Sequence, residues 1–253
     1  MKPSLKHLAL PALLLGLSAA VSAAPVFISG VSAAGGWLDV NKANPRNGDV
    51  NLCWAASSSN LLAFTGWNGG FSSNTEIFAD YKNHWSDFGG RTEYGIEWWF
   101  DGTNKAQGWP NWSQVLTPGG NFYSKTLYTQ NTEADRIANE SVLFDYVSGN
   151  TKLGHVGVEM SLGWIVGGKR DGGHSVTLWG VDIIENLVYI TDSDDYATAL
   201  KSYHYDESTF YLTDYAGGNG HLEELFGLRI PEPSSFALLG LGFVGLGWAR
   251  RRS

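Results

Sequence analysis

The 253-residue chain predicts an α+β domain, with helices first and a mostly antiparallel sheet after them. Three observations carry this. Residues 51–67 place small and apolar side chains at helical spacing. From His155 onward, apolar residues alternate with a period of two. Between these stretches lies a Gly- and Trp-rich middle with no internal repeat and no low-complexity block.

In chain order, residues 27–40 read as an opening strand or loop, and residues 43–50, with Pro45, Asn47 and Gly48, as a loop. The helix of residues 51–67 follows, with Asn51 as a natural N-cap and Gly66 as its C-terminal stop. Cys53, the only cysteine, then falls in the first turn, where the helix dipole favours a thiolate. Residues 68–73 form a turn, and residues 75–85 a short helix capped by Asn74 or Thr75. Trp98, Trp99, Trp109 and Trp112 crowd residues 89–112, which read as core under a long loop or as the wall of a substrate groove. Residues 132–146 read as a helix. Val156, Val158 and Met160 alternate, as do Leu162, Trp164 and Val166. Residues 167–173 are a turn, and residues 174–181 and 187–192 a hairpin.

Both ends carry address signals. Lys2 and Lys6, an apolar run from Leu8 to Leu17 and Val21-Ser22-Ala23 form a secretory signal peptide cleaved after Ala23. At the other end, Pro231-Glu232-Pro233 precedes an apolar run of about 15 residues, slightly short of the ~17–25 that span a bilayer. Arg250, Arg251 and Arg252 close it and hold the end on the cytoplasmic side. Residues 231–253 resemble the PEP-CTERM sorting signal. That resemblance implies a Gram-negative envelope or surface protein, transient membrane anchoring by the tail, and an exosortase as partner. An ordinary C-terminal anchor is the alternative.

Residues 24–230 are enough for one domain with a sizeable core. Within them 12 basic residues face 24 acidic ones, which argues against nucleic acid as a partner. One cysteine permits no intramolecular disulfide. A lone cysteine is often a buried structural residue, but an unpaired thiol in an exported chain is also a candidate nucleophile.

His174 is the histidine that opens a strand directly after a glycine turn. If the hairpin turns around Ile183, His174 lies opposite Asp192, and a carboxylate there orients the imidazole. A tight turn at Glu185-Asn186 would instead pair Trp179 with Asp192. Asp194 shares the face of Asp192 and offers a second acceptor. A calcium loop over residues 192–195 lacks the glycine and terminal glutamate of EF-hand spacing. No zinc-type cluster exists, so neither metal nor cofactor is expected. Cys53, His174 121 residues on and an acceptor 18 beyond approach the layout of papain-like proteases.

Three blocks sharpen this: residues 36–42 with Lys42, residues 52–56 and 60–62 with Cys53, and residues 174–180 and 189–194 with His174, Asp192 and Asp194. Together they resemble the IdeS/Mac family of IgG-degrading, papain-fold cysteine endopeptidases. The resemblance implies a papain-like fold and a protein or peptide substrate. It makes Cys53 the nucleophile, His174 the base, Asp192 its orienting acid, Asp194 an accessory carboxylate and Lys42 part of the oxyanion hole. Locally, Lys42 and Arg46 are the two cationic donors between Ala24 and Cys53, where papain-like enzymes use a Gln that is absent here. Two other functions stand beside it: a non-catalytic envelope or biofilm-matrix binder that uses exposed tryptophans on a glycan or peptide, and an amidase or acyl transferase that keeps the same triad. Only about 29 residues precede Cys53 after the leader, too few for a papain-type propeptide, so activity without further trimming is expected.

Overall fold

The computed structural model describes residues 24–43, 48–216 and 220–231. The leader, Arg46 and the apolar and arginine parts of the tail lie outside them. Among the described residues no helix is long and apolar enough to cross a membrane.

The architecture is mixed α+β. Five helices, α1 (Cys53–Thr65), α2 (Asn74–His84), α3 (Thr92–Asp101), α4 (Lys125–Asn131) and α5 (Glu140–Ser148), pack on one antiparallel sheet. Its strands are β1 (Val26–Phe27), β2 (Thr132–Arg136), β3 (Val156–Val166), β4 (Lys169–Asp182), β5 (Leu187–Thr191), β6 (Lys201–His204), β7 (Tyr211–Leu212) and β8 (Gly220–Arg229). The main order is β2-β8-β3-β4-β5-β6, with β1 paired to β4 and β7 to β8.

Helix α1 is central. Ten of its 13 residues are buried, so it is enclosed on nearly every side. It packs against α2 and α3 on one flank and β3, β4 and β8 on the other. Closeness to the sheet comes from small residues: a Cβ at Gly157 would lie 2.9 Å from Thr65 Cγ2. Its serines are satisfied within the helix, Ser58 Oγ donating to the Trp54 carbonyl and Ser59 Oγ to the Ala55 carbonyl, both at 2.7 Å. Asn60 crosses the layers. Its Nδ2 donates to Thr177 Oγ1 of β4 at 3.0 Å, while its Oδ1 accepts from Asn74 Nδ2 of α2 at 2.9 Å. Val158 and Met160, alternating with Gly157, join a second core on the opposite sheet face with Leu143 and Val147 of α5.

Several expectations change. The cap of α1 is Leu52, which makes no side-chain cap bond. Asn51 is displaced because Asp87 takes the Val50 and Asn51 N–H groups at 3.0 and 2.7 Å and thereby fixes the segment ahead of the helix. Gly66 does end the helix, in the left-handed conformation at φ 82°. Helix α2 starts one residue earlier, with Ser73 Oγ accepting from the Glu76 N–H. The tryptophan segment is not all loop. Residues 92–101 are helical, and Trp98 and Trp99 are fully buried core residues.

Residues 132–146 split into strand β2 and helix α5. Helix-favouring Glu133, Ala134 and Arg136 extend because β8 offers an edge to pair with. The charged side chains suit an edge strand. The turn at residues 167–173 shrinks to Gly167-Gly168, both at positive φ, with Val166 facing Lys169. Residues 169–173 therefore belong to β4, and His174 lies inside a strand rather than at its start.

Trp54 sets the seam between α1 and α3. An added Cβ at Gly95 would meet its ring at 2.6 Å. We expect Gly95→Ala to lower unfolding free energy by about 1–3 kcal/mol, the usual cost of overpacking. Urea denaturation read by tryptophan fluorescence checks it.

Candidate active site

The N-terminus of α1 opens into a cleft of about 940 Å³. Residues 50–53, 89–91 and 111–112 form one wall, and β3, β4 and β8 the other. Cys53 is half-buried there. As the first helical residue its own N–H has no intrahelical acceptor and points with the positive end of the dipole.

His174 is 8% exposed and donates through Nε2 to Asp192 Oδ1 at 2.7 Å. Its other ring nitrogen is left for Cys53, whose charge acts on the ring. The hairpin register falls between the two weighed from sequence. Thr177 faces Thr191, and Leu178 faces Ile190. A bulge at Trp179 follows. Extending the pairing puts Val176 opposite Asp192, so His174 reaches it diagonally. The diagonal is within reach of a ring side chain.

Asp192 is a hub. Its Oδ1 also accepts the Asp194 N–H at 2.9 Å, and its Oδ2 accepts the Tyr215 hydroxyl at 2.5 Å. Burial works against its charge, but the His174 hydrogen bond and charge and the Tyr215 hydroxyl outweigh it, and the carboxyl titrates at about 2. Burial likewise opposes a charged His174. The Cys53 thiolate and the Asp192 hydrogen bond overcome that and raise the imidazole to about 10. For Cys53, burial pushes the thiol up, yet His174, then Lys42 and the Ser175 N–H, bring it below the usual range. Each partner thus favours the charged form of the other.

Lys42 is 3% exposed and no surface lysine. Its Nζ donates to the Val50 carbonyl at 2.8 Å and forms an ion pair with Asp194. An ammonium has three donors, which leaves one for a ligand in the cleft. The preceding loop is held by buried Asp49, whose Oδ2 accepts the Ala43 N–H at 2.9 Å. Asp194 therefore serves Lys42 and, through its N–H, Asp192. His174, Asp192 and Asp194 bring possible metal-ligating atoms within 4.8 Å of one another. Lys42, Tyr215 and the imidazole already engage them, so the resident cation there is the lysine ammonium.

All five residues singled out from sequence, Cys53, His174, Asp192, Asp194 and Lys42, meet at this site. Two partners were not foreseen. Tyr215 lies in a loop with no sequence signal toward Asp192. Trp164 stacks on both His174 (centroids 6.3 Å, 19°) and Tyr215 (5.9 Å, 4°). Its place two residues beyond Leu162, the β4 partner of His174, would have marked it once the register was known.

Residues 229–252 match the PEP-CTERM protein-sorting motif. This is a sorting signal recognised by an exosortase, and it implies an exported protein of the Gram-negative envelope or surface. No curated protein matches the chain.

The linkage has two signs. His174, raised to about 10, contributes stability that is full below its ordinary value near 6.5 and is lost as pH rises through about 10. Asp192, lowered to about 2, contributes stability present above about 3.8 and lost as pH falls through about 2. Asp192→Asn removes the charge that holds the imidazolium. The His174 titration, followed by NMR of the ring, is expected to fall by at least one pH unit toward ~6.5.

Proposed function

We propose that residues 24–230 are one papain-like domain and that the chain is an exported cysteine endopeptidase related to the IdeS/Mac type. The carrying observation is the series Cys53–His174–Asp192, in which His174 is hydrogen-bonded to Asp192 and coupled by charge to Cys53, with the cysteine at a helix N-terminus inside an open cleft. Lys42 beside it supports the family resemblance, because a buried cation in that position answers to developing oxyanion charge.

In this reading the thiolate adds to the scissile carbonyl carbon. The carbonyl oxygen becomes an oxyanion facing the free Lys42 donor and the Cys53 N–H. As the C–N bond breaks, imidazolium His174 gives its proton to the leaving amine, leaving a thioester on Cys53. Water then attacks that thioester while His174 takes its proton, and the acid product leaves with the thiolate restored. Asp192 keeps the ring oriented throughout and stays ionised. The cleft, at about 940 Å³, has room for a peptide segment. Nothing at the site points to immunoglobulin.

Mass spectrometry of a peptide library incubated with the protein is expected to show new termini that vanish in Cys53→Ala. Transfer to an added amine instead of water would mark an acyl transferase. Binding without turnover, with an inert Cys53, would mark the matrix binder. Lys42→Ala is expected to leave folding intact and cut kcat about 10²–10³-fold, the usual loss for one oxyanion donor. KM should change little, since that contact strengthens only in the transition state. Steady-state kinetics on the best library peptide decide it.

A further inference from the structure

Glu159 lies beneath the cleft floor and has no task in the scheme above. It sits on β3 opposite Thr177 of β4 and Phe226 of β8, and only 2% of it is exposed. Alternation places it on the face of Gly157 and Ser161, the side that meets α1. Ser161 Oγ donates to its Oε1 at 2.9 Å. Ser175 of β4 faces Ser161 directly and Glu159 diagonally on the same sheet face, within reach of its carboxyl. Ser175 also lines the cleft with Cys53, and its backbone N–H is directed at the sulphur. Ser161, Glu159 and Ser175 therefore form one polar cluster beside the nucleophile.

A buried carboxyl is expensive unless it is paired with a cation or kept neutral. The groups that face Glu159 are Ser161 on its own strand, Ser175 of β4, Cys53 of α1 and Glu224 of β8. The charged ones act as negative, and Glu224 is itself tied to Arg91 at 2.5 Å. Burial first, then these two charges, hold the carboxyl protonated up to about 8. A neutral acid offers one donor as well as acceptors. It can join two hydroxyls without setting a second anion beside the thiolate.

We propose that Glu159 is a positioning residue for the nucleophile: its buried carboxyl clamps the Ser161 and Ser175 hydroxyls and so fixes the Ser175 N–H against the Cys53 sulphur. This rests on Cys53 being the nucleophile, but it does not depend on which acyl substrate the cleft takes. The test therefore reads Cys53 itself, as the rate of iodoacetamide alkylation of the full-length protein from pH 5 to 10.

Glu159→Gln keeps both hydroxyl partners and cannot ionise. Its rate at pH 6.5 is expected to stay within about twofold of wild type. The wild-type profile is expected to inflect near pH 8, where Glu159 gains its charge, and Glu159→Gln to lack that inflection. Glu159→Leu, which releases the clamp, is expected to slow alkylation about tenfold at pH 6.5, the worth of roughly one hydrogen bond. Ser175→Ala cuts the same link from the other side while keeping the backbone N–H, and is expected to slow it in the same direction should the leucine variant not fold. An unchanged inflection in Glu159→Gln overturns the proposal. So does wild-type reactivity in Glu159→Leu or Ser175→Ala. A Cys53 inert in the wild-type protein overturns the nucleophile assignment together with it, whereas a reactive Cys53 indifferent to all three changes overturns the proposal alone.

Discussion

The structure depends on one constraint, the enclosure of α1 between the helical layer and the sheet. A helix buried on nearly all sides cannot be held by a single apolar stripe. Small residues let neighbours approach on every flank, and large anchors then fix its height and rotation. Trp54 fills the gap over Gly90 and Gly95, and its Nε1 donates to the Phe88 carbonyl at 3.2 Å. Asn60 ties the middle of the helix to β4 and α2 at once. Because Cys53 is the residue before Trp54, everything that fixes the indole also fixes the sulphur. Rigidity of the core becomes precision at the site.

Charge follows from the same enclosure. Lys42, His174 and Asp192 sit where water is largely excluded, beside the half-buried Cys53, so each interaction weighs more than it would at the surface. Isolated charges there would neutralise themselves. They persist because each is balanced: thiolate by imidazolium, imidazolium by Asp192, Lys42 by Asp194. Tyr215 and the Asp194 N–H fill the remaining capacity of the Asp192 carboxylate. The bond to His174 and its charge weigh most in keeping the carboxylate ionised next to an aromatic stack, and the Tyr215 hydroxyl and the Asp194 N–H add to them.

The site was more legible than the fold around it. Its residues are chemically rare in this chain: a single cysteine, a histidine in a glycine-rich stretch, a run of aspartates and one of the few cationic residues ahead of the cysteine. Their order and spacing, helped by the family resemblance, were enough to gather them. Residues 132–136 were not legible, because their helical preference is worth only tenths of a kcal/mol per residue, and pairing with β8 outweighs it. Residues 92–101 were missed because Gly and Trp both weaken the helix signal, while their burial against α1 is a tertiary fact.

By itself the sequence determined the α+β order, the helix ending at Gly66, the strand pattern after His155 and the sorting motif, and it singled out five residues that meet at one cleft. Only the tertiary structure decided where Asn51 and the glycine turn end up, that His174 meets Asp192 on a diagonal, and that Tyr215, Trp164 and Glu159 belong to the same neighbourhood. The reason is one of range. Capping, alternation and helical spacing act within a few residues and are written locally, whereas register, burial and the partners of a buried charge are set by strands and loops tens of residues away.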